Sequence, residues 1–240
     1  KPVPVAKGVT VDLDVPAEAE YVLEGYVDPS ESRTEGPFGD HTGYYSIESE
    51  YPVFHVTAIT RRRDPIYPTI VVGRPVQEDY WMGKASERMF LPLMRLILPE
   101  VVDVNMPAEG IFHNLVIVSI KKEYPGHPQK VAYGLWGLGL MMLAKTIVVV
   151  DHDVDVQDLS LVTWRVTNNI DGRRDVFFAD GPVDDLDVGS PTPKIGSKIG
   201  IDATRKTAAE MRDGKHWMPD ILMTPEIKSL VDGKWTEYGI

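Results

Sequence analysis

Thr146-Ile-Val-Val-Val-Asp151 sets four β-branched apolar residues in a row and ends them on an acid. A strand with one wet face alternates apolar and polar side chains, whereas a strand buried on both faces is apolar throughout. The run therefore predicts a central, fully buried strand. Outward from it, helical and strand periods alternate. Residues 85–98 read as helix, 101–105 and 115–121 as strands, and 128–144 as helix. On the other side, 156–168 read as helix with Leu159, Val162 and Val166 on one face, and 175–179 as strand. Alternation of this kind implies an α/β layered domain. Residues 182–204 carry turn chemistry, and the remainder reads as a peripheral tail with two short helices.

The first part of the chain has a different texture. Val9, Val11, Leu13 and Val15, then Tyr21, Leu23, Gly25 and Val27, keep a period of two on either side of Pro16, which predicts strand, turn, strand. Residues 29–43 are dense in Gly, Pro, Ser and charge and read as a long loop. Two more strands are expected at 51–61 and 66–72, separated by Arg-Arg-Arg-Asp-Pro. The fold class is thus α+β passing into α/β: the end of a β-rich domain over 1–75, an α/β layered domain over 76–190, and a tail over 191–240.

Bulk properties exclude several functions. A net charge of −11 argues against nucleic acid as a partner, since tracking phosphates needs a surplus of Lys and Arg. With no cysteine, disulfides, thiolate metal sites and Cys nucleophiles are absent, which fits a cytoplasmic protein. No apolar run approaches the ~20 residues of a membrane helix, so no membrane span is expected. Lys1 rather than Met opens the chain, and residues 1–8 lack signal-peptide character, so the sequence is expected to continue upstream.

The segment Glu35-Gly-Pro-Phe-Gly-Asp40-His-Thr-Gly-Tyr-Tyr45 carries the most chemistry. Two carboxylates lie five apart across Gly36, Pro37 and Gly39. Pro37 stiffens the loop, and the glycines let its backbone approach a planar ligand. Two acids in a restricted site can have their pKa values pushed apart, so that one donates a proton while the other stays ionised. Solvated loop acids, with Asp40 as a cap, are the plain alternative. His41 adjoins Asp40 and could tune its proton.

The other histidines show no metal-binding spacing, and no nucleophile elbow, dinucleotide fingerprint or phosphate-loop string occurs. Asp151, Asp153, Asp155 and Asp158 resemble the start of a calcium loop, but Val156 and Val162 stand where that loop needs Gly and Glu. Capping of the following helix explains them better. Lys130 and Lys198 are surface lysines on this reading, though either could reach a phosphate.

Three ordered strings bring in a family. They are Leu23-Glu-Gly-Tyr-Val-Asp-Pro29 with Glu35 to Tyr45, then Val148-Val-Val-Asp-His-Asp-Val-Asp-Val-Gln-Asp158 with Trp164-Arg-Val-Thr-Asn168 and Arg174-Asp-Val, then Gly196-Ser-Lys-Ile-Gly-Ile-Asp-Ala-Thr204. Together they resemble the C-terminal portion of the UbiD family of decarboxylases. His152 and Asn168 depart slightly from the family wording. The resemblance implies a split-barrel flavin-binding domain at the N-terminal side. It also implies prenylated FMN with Mn2+ and K+, whose ligands lie mostly upstream of Lys1.

The expected reaction is reversible, non-oxidative decarboxylation of an aromatic (phenolic) or α,β-unsaturated acid, with quinone biosynthesis as one setting. Family roles carry over to Glu35, as part of an Arg–Glu–Glu/Asp network, and to Asp40, as proton donor. Implied partners are the small-molecule acid, further copies in a dimer or hexamer, an N-terminal half or separate chain, and a flavin prenyltransferase that supplies the cofactor. Taken alone the chain is expected to be inactive. A non-catalytic assembly role is the competing reading, with Met141 and Met142 on an interface.

Overall fold

The computed structural model describes residues 2–211 and 214–239. The N-terminal region is antiparallel, as the sequence predicts, but its strands fall elsewhere. Short strands β1 (Val5–Lys7) and β2 (Asp14–Pro16) pair with each other. Long strands β3 (Tyr21–Glu35) and β4 (Ser49–Arg61) form a ribbon broken by register shifts after Glu24 and Val27. Among the described residues these strands make two two-stranded sheets and do not close into a barrel.

Three expectations fail here for physical reasons. Residues 9–13 form the turn between β1 and β2, because the Glu24 carboxylate accepts the amides of Val9, Thr10 and Val11 at 2.9, 2.6 and 3.3 Å. Amides engaged by a carboxylate cannot join a ladder. The loop expected from 29 begins only at Gly36, since Ser32 pairs with Pro52 and Glu35 with Ser49. No strand forms over 66–72, where the Ile66 amide donates to Glu20 at 2.9 Å and Pro68 has no amide to give.

Helix α1 (Glu78–Ile97) leads into a five-stranded sheet. In chain order the following elements are β5 (Val101–Asn105), β6 (Leu115–Ile120), α2 (His127–Trp136), β7 (Thr146–Asp151), α3 (Leu159–Asn169), β8 (Val176–Pro182) and β9 (Ile195–Asp202). Strand order is β5-β6-β7-β9-β8, with β7 in the middle and parallel to both neighbours. Its successive side chains point to opposite faces. Ile147 and Val149 enter a core with Leu91, Leu98, Val131 and Leu135, whereas Val148 and Val150 enter a second core with Val156 and Val162. The acid-ended apolar run is therefore the centre of the sheet.

β9 corrects the reading of 182–204 as turns, and it carries the sheet past the expected boundary at 190. A Cβ on Gly200 would lie 2.1 Å from the ring of Phe177, its cross-strand partner on β8. The glycines that suggest turns instead let an aromatic ring cover the strand. The helix expected over 128–144 also splits. α2 ends at Gly137, Leu138 is extended, and a 3-10 turn spans Gly139–Leu143. The Trp136 indole donates to Ala144 O at 2.9 Å and closes that turn. α3 begins at Leu159, where Asp158 caps it by accepting the Leu161 amide at 3.0 Å. The tail holds two short helices, as expected: α4 (Pro225–Asp232) and α5 (Trp235–Tyr238).

Candidate active site

The loop joining β3 to β4 carries both acids. Glu35 is the last residue of β3 and is exposed at the loop's mouth. Beyond it, Gly36 and Gly43 take left-handed backbone at φ 97° and 83°, where a side chain would be strained. The Asp40 amide donates to Tyr44 O and the Gly43 amide to Asp40 O, each at 3.0 Å, so 40–44 form a tight turn. That turn folds the Asp40 side chain back onto its neighbour. Asp40 Oδ1 accepts the His41 backbone N–H at 2.6 Å and lies 2.7 Å from His41 Nδ1. Both side chains are 17% exposed. Asp40 thus bonds to His41 rather than to Glu35, and its Oδ2 has no hydrogen-bond partner among the described residues.

His41 reaches across to the α/β layer. Its Nε2 stands 3.1 Å from Nε2 of His113, and its ring tilts against Phe112 with centroids 5.6 Å apart. Both partners sit on the connection between β5 and β6, where Ile111 and Phe112 are left-handed without being glycine, at φ 53° and 49°. Two such residues in succession are costly and persist only where packing holds them. Gly83 on α1 provides part of that packing, since a Cβ there would lie 2.8 Å from the Phe112 ring. His113 is pulled below the ordinary histidine range, chiefly by burial. No sequence signal marks it, because its partner is 72 residues away.

Other candidates resolve as structure. Asp151 is buried, its carboxyl is raised by that burial, and it accepts the Arg205 amide at 2.8 Å. Asp153 pairs with Arg205 at 2.8 Å and Asp155 accepts the Gln157 amide at 2.9 Å. Lys198 is not a surface residue. It is 2% exposed, donates to Met142 O and Ala144 O at 2.6 and 2.9 Å, and burial holds its amine down to about 8. Lys130 pairs with Glu100.

Residues 80–203 match the family model described as the 3-octaprenyl-4-hydroxybenzoate carboxy-lyase C-terminal domain, and residues 1–75 match its Rift-related domain. This chain belongs to the UbiD family. An uncharacterised protein of Aquifex aeolicus is 54% identical over all of the chain, which covers 49% of that relative. Another, from Archaeoglobus fulgidus, is 53% identical over 95% of the chain and 47% of the relative. The chain spans about half the length of the curated relatives it matches. Among solved structures, the UbiD-class enzyme HmfF from Pelotomaculum thermopropionicum, in complex with FMN, is 32% identical with TM-score 0.79, over 97% of this chain and 51% of that one. The closed form of vanillic acid decarboxylase from Sedimentibacter hydroxybenzoicus is 30% identical with TM-score 0.84, over 98% and 49%. No described helix is long and apolar enough to cross a membrane.

Proposed function

We propose that this chain supplies the acid–base half of a prenylated-flavin-dependent carboxy-lyase acting on an aromatic or α,β-unsaturated acid, with Asp40 as proton donor. The observation that carries the reading is the state of Asp40. It is mostly shielded and anchored through Oδ1, with Oδ2 free to meet a substrate. A carboxyl held at one oxygen and open at the other is oriented for proton transfer.

The loop suits a planar ring on the evidence of its backbone. A Cβ on Gly39 would meet only Val72 and Tyr45, at 3.8 and 4.0 Å, so the chain there is open to close approach. Gly39 and the Asp40 turn would stand against the cofactor. The metals are different: the described residues include no group of three or more His, Asp or Glu placed to hold an ion. The Mn2+ and K+ implied by family resemblance have no ligand set among them.

When bound, the prenylated flavin supplies the electron sink for departure of carbon dioxide. Asp40 Oδ2–H then delivers its proton to the carbon that carried the carboxylate, and in the reverse direction the same oxygen removes it. Glu35, exposed at the loop's mouth, takes its place in the charge network around the acid from the family resemblance alone. Positioned general acids contribute about 10²–10⁴-fold. In flavin-loaded enzyme containing this chain, Asp40→Asn is expected to lower kcat by at least about 100-fold with subunit assembly unchanged. Wild-type turnover in that variant would refute the assignment.

A second role in assembly is supported by α1, whose Met82, Met89, Phe90, Leu93 and Leu96 are all more than half exposed. A soluble helix seldom leaves so continuous an apolar face uncovered.

A further inference from the structure

We propose that His41 and His113 form a one-proton reservoir that reloads Asp40, with His113 as the positioning residue that limits its capacity. The inference rests on the reading of Asp40 as proton donor. It goes beyond that reading by naming where the proton comes from.

Geometry restricts the pair to few states. Two Nε2 atoms 3.1 Å apart share one hydrogen, because N–H groups on both rings would collide. While Asp40 is ionised, Oδ1 can only accept, so His41 Nδ1 carries the hydrogen between them. His41 Nε2 is then the acceptor and His113 Nε2–H the donor. That leaves His113 Nδ1 bare, in agreement with a buried Nδ1 that has no partner. An unpaired buried acceptor is less costly than an unpaired buried N–H.

The chain has one other polarity. A solvent hydronium that reaches His113 Nδ1 leaves its proton there and departs as water. The Nε2 hydrogen passes to His41 Nε2 and the His41 Nδ1 hydrogen to Asp40 Oδ1, and a half-turn of the carboxyl about Cβ–Cγ then exchanges its two oxygens and presents that hydrogen on the substrate side. One proton enters and one reaches the acid, with no other bond changed. Asn114 Oδ1, also buried without a partner, belongs to the adjacent residue and favours protonation of the ring. Once Asp40 has discharged its proton, the rings regain their first tautomers by exchange with water.

The charges around His113 suit this role. Burial is the largest influence and opposes its protonation, as does His41, whereas Asp184 after β8, Asn114 beside it and Asp79 on α1 favour it. A second proton on the pair would face both the burial and the opposing ring.

The first test follows ring-nitrogen shifts by NMR in the 240-residue chain from about pH 8 to about pH 5, which spans histidine's range. The expected result is one proton bound between the two rings, with both rings responding together. Two protons bound independently would overturn the reservoir. The second test uses the flavin-loaded enzyme containing this chain. His113→Gln is expected to lower kcat about tenfold with KM unchanged, and to alter the pH dependence of kcat. If Asp40→Asn is inactive while His113→Gln keeps the wild-type rate and pH profile, the reservoir falls and the donor reading stands. If Asp40→Asn retains activity, the donor reading falls and the reservoir with it. Should His113→Gln not fold, the proton count in the unmodified chain decides alone.

Discussion

Lys206 lies just past β9 with its side chain wholly out of solvent, and Lys206→Met leaves buried carboxylates short of a cation. Its ammonium sits 2.9 Å from Asp202 Oδ1 and 3.3 Å from Asp175 Oδ1, and donates to Asp202 O at 2.8 Å. The Asp202 and Asp175 side chains are 3% and 2% exposed. Removing one partner from a buried ion pair costs about 3–5 kcal/mol, because the charge left behind is not rehydrated. The lower end applies here. Asp175 keeps Arg174, at 2.7 Å through both Nε and Nη2, and Asp202 keeps the Thr204 amide at 3.0 Å. A loss of about 3 kcal/mol corresponds to roughly 6–12 °C in Tm for a domain of this size.

The pH dependence sharpens the test. Burial pushes the Asp175 carboxyl up, but Arg174, the Asp171 amide and Lys206 outweigh it and hold the group below its ordinary value. A depressed carboxylate contributes stability above its unfolded value near ~4, and that contribution is lost as pH falls through the folded value. Lys206 supplies part of the depression, so the variant's deficit is full at neutral pH and shrinks below about pH 4. Urea unfolding followed by circular dichroism at several pH values measures both quantities. A deficit under about 1 kcal/mol at pH 7, or one that does not change with pH, would refute the reasoning.

Two further outcomes are expected. Asp220 ties the tail to the α/β layer by accepting from Arg165 at 2.9 Å and Arg205 at 3.1 Å, and the Arg165 bond is the main reason its carboxyl is held down at about 2. Asp220→Asn should speed limited proteolysis within 214–223 by about tenfold, the equivalent of roughly 1.4 kcal/mol. In the wild type the tie is fully present above an ordinary aspartate value near ~4 and is lost as pH falls through about 2; equal cleavage of the two proteins would count against it. Gly200→Ala should lower stability by about 1–3 kcal/mol, because Phe177 must leave its place over the strand, and an unchanged denaturation midpoint would show that the ring moves freely.

Elements governed by short-range chemistry are legible in the sequence. The apolar run at β7, the strand at 101–105, the Asp158 cap and the two tail helices each depend on neighbours within a few residues. Loop motifs likewise bring Glu35, Asp40 and His41 into view, together with their resemblance to the UbiD family.

What the sequence conceals depends on partners far along the chain. β9 reads as turns because its glycines show no pattern of their own, and only the Phe177 ring against Gly200 explains why that glycine belongs in a strand. The strand expected over 9–13 fails because a carboxylate at position 24 takes its amides. The Asp40–His41 pair is local, so the sequence suffices to suspect it. The histidine facing it comes from another layer, and only the packing of α1 against the β5–β6 connection brings His113 within hydrogen-bonding distance of His41. Periodicity and capping act through the backbone over a turn or two, whereas a contact between distant segments exists only after the chain has buried its apolar surface.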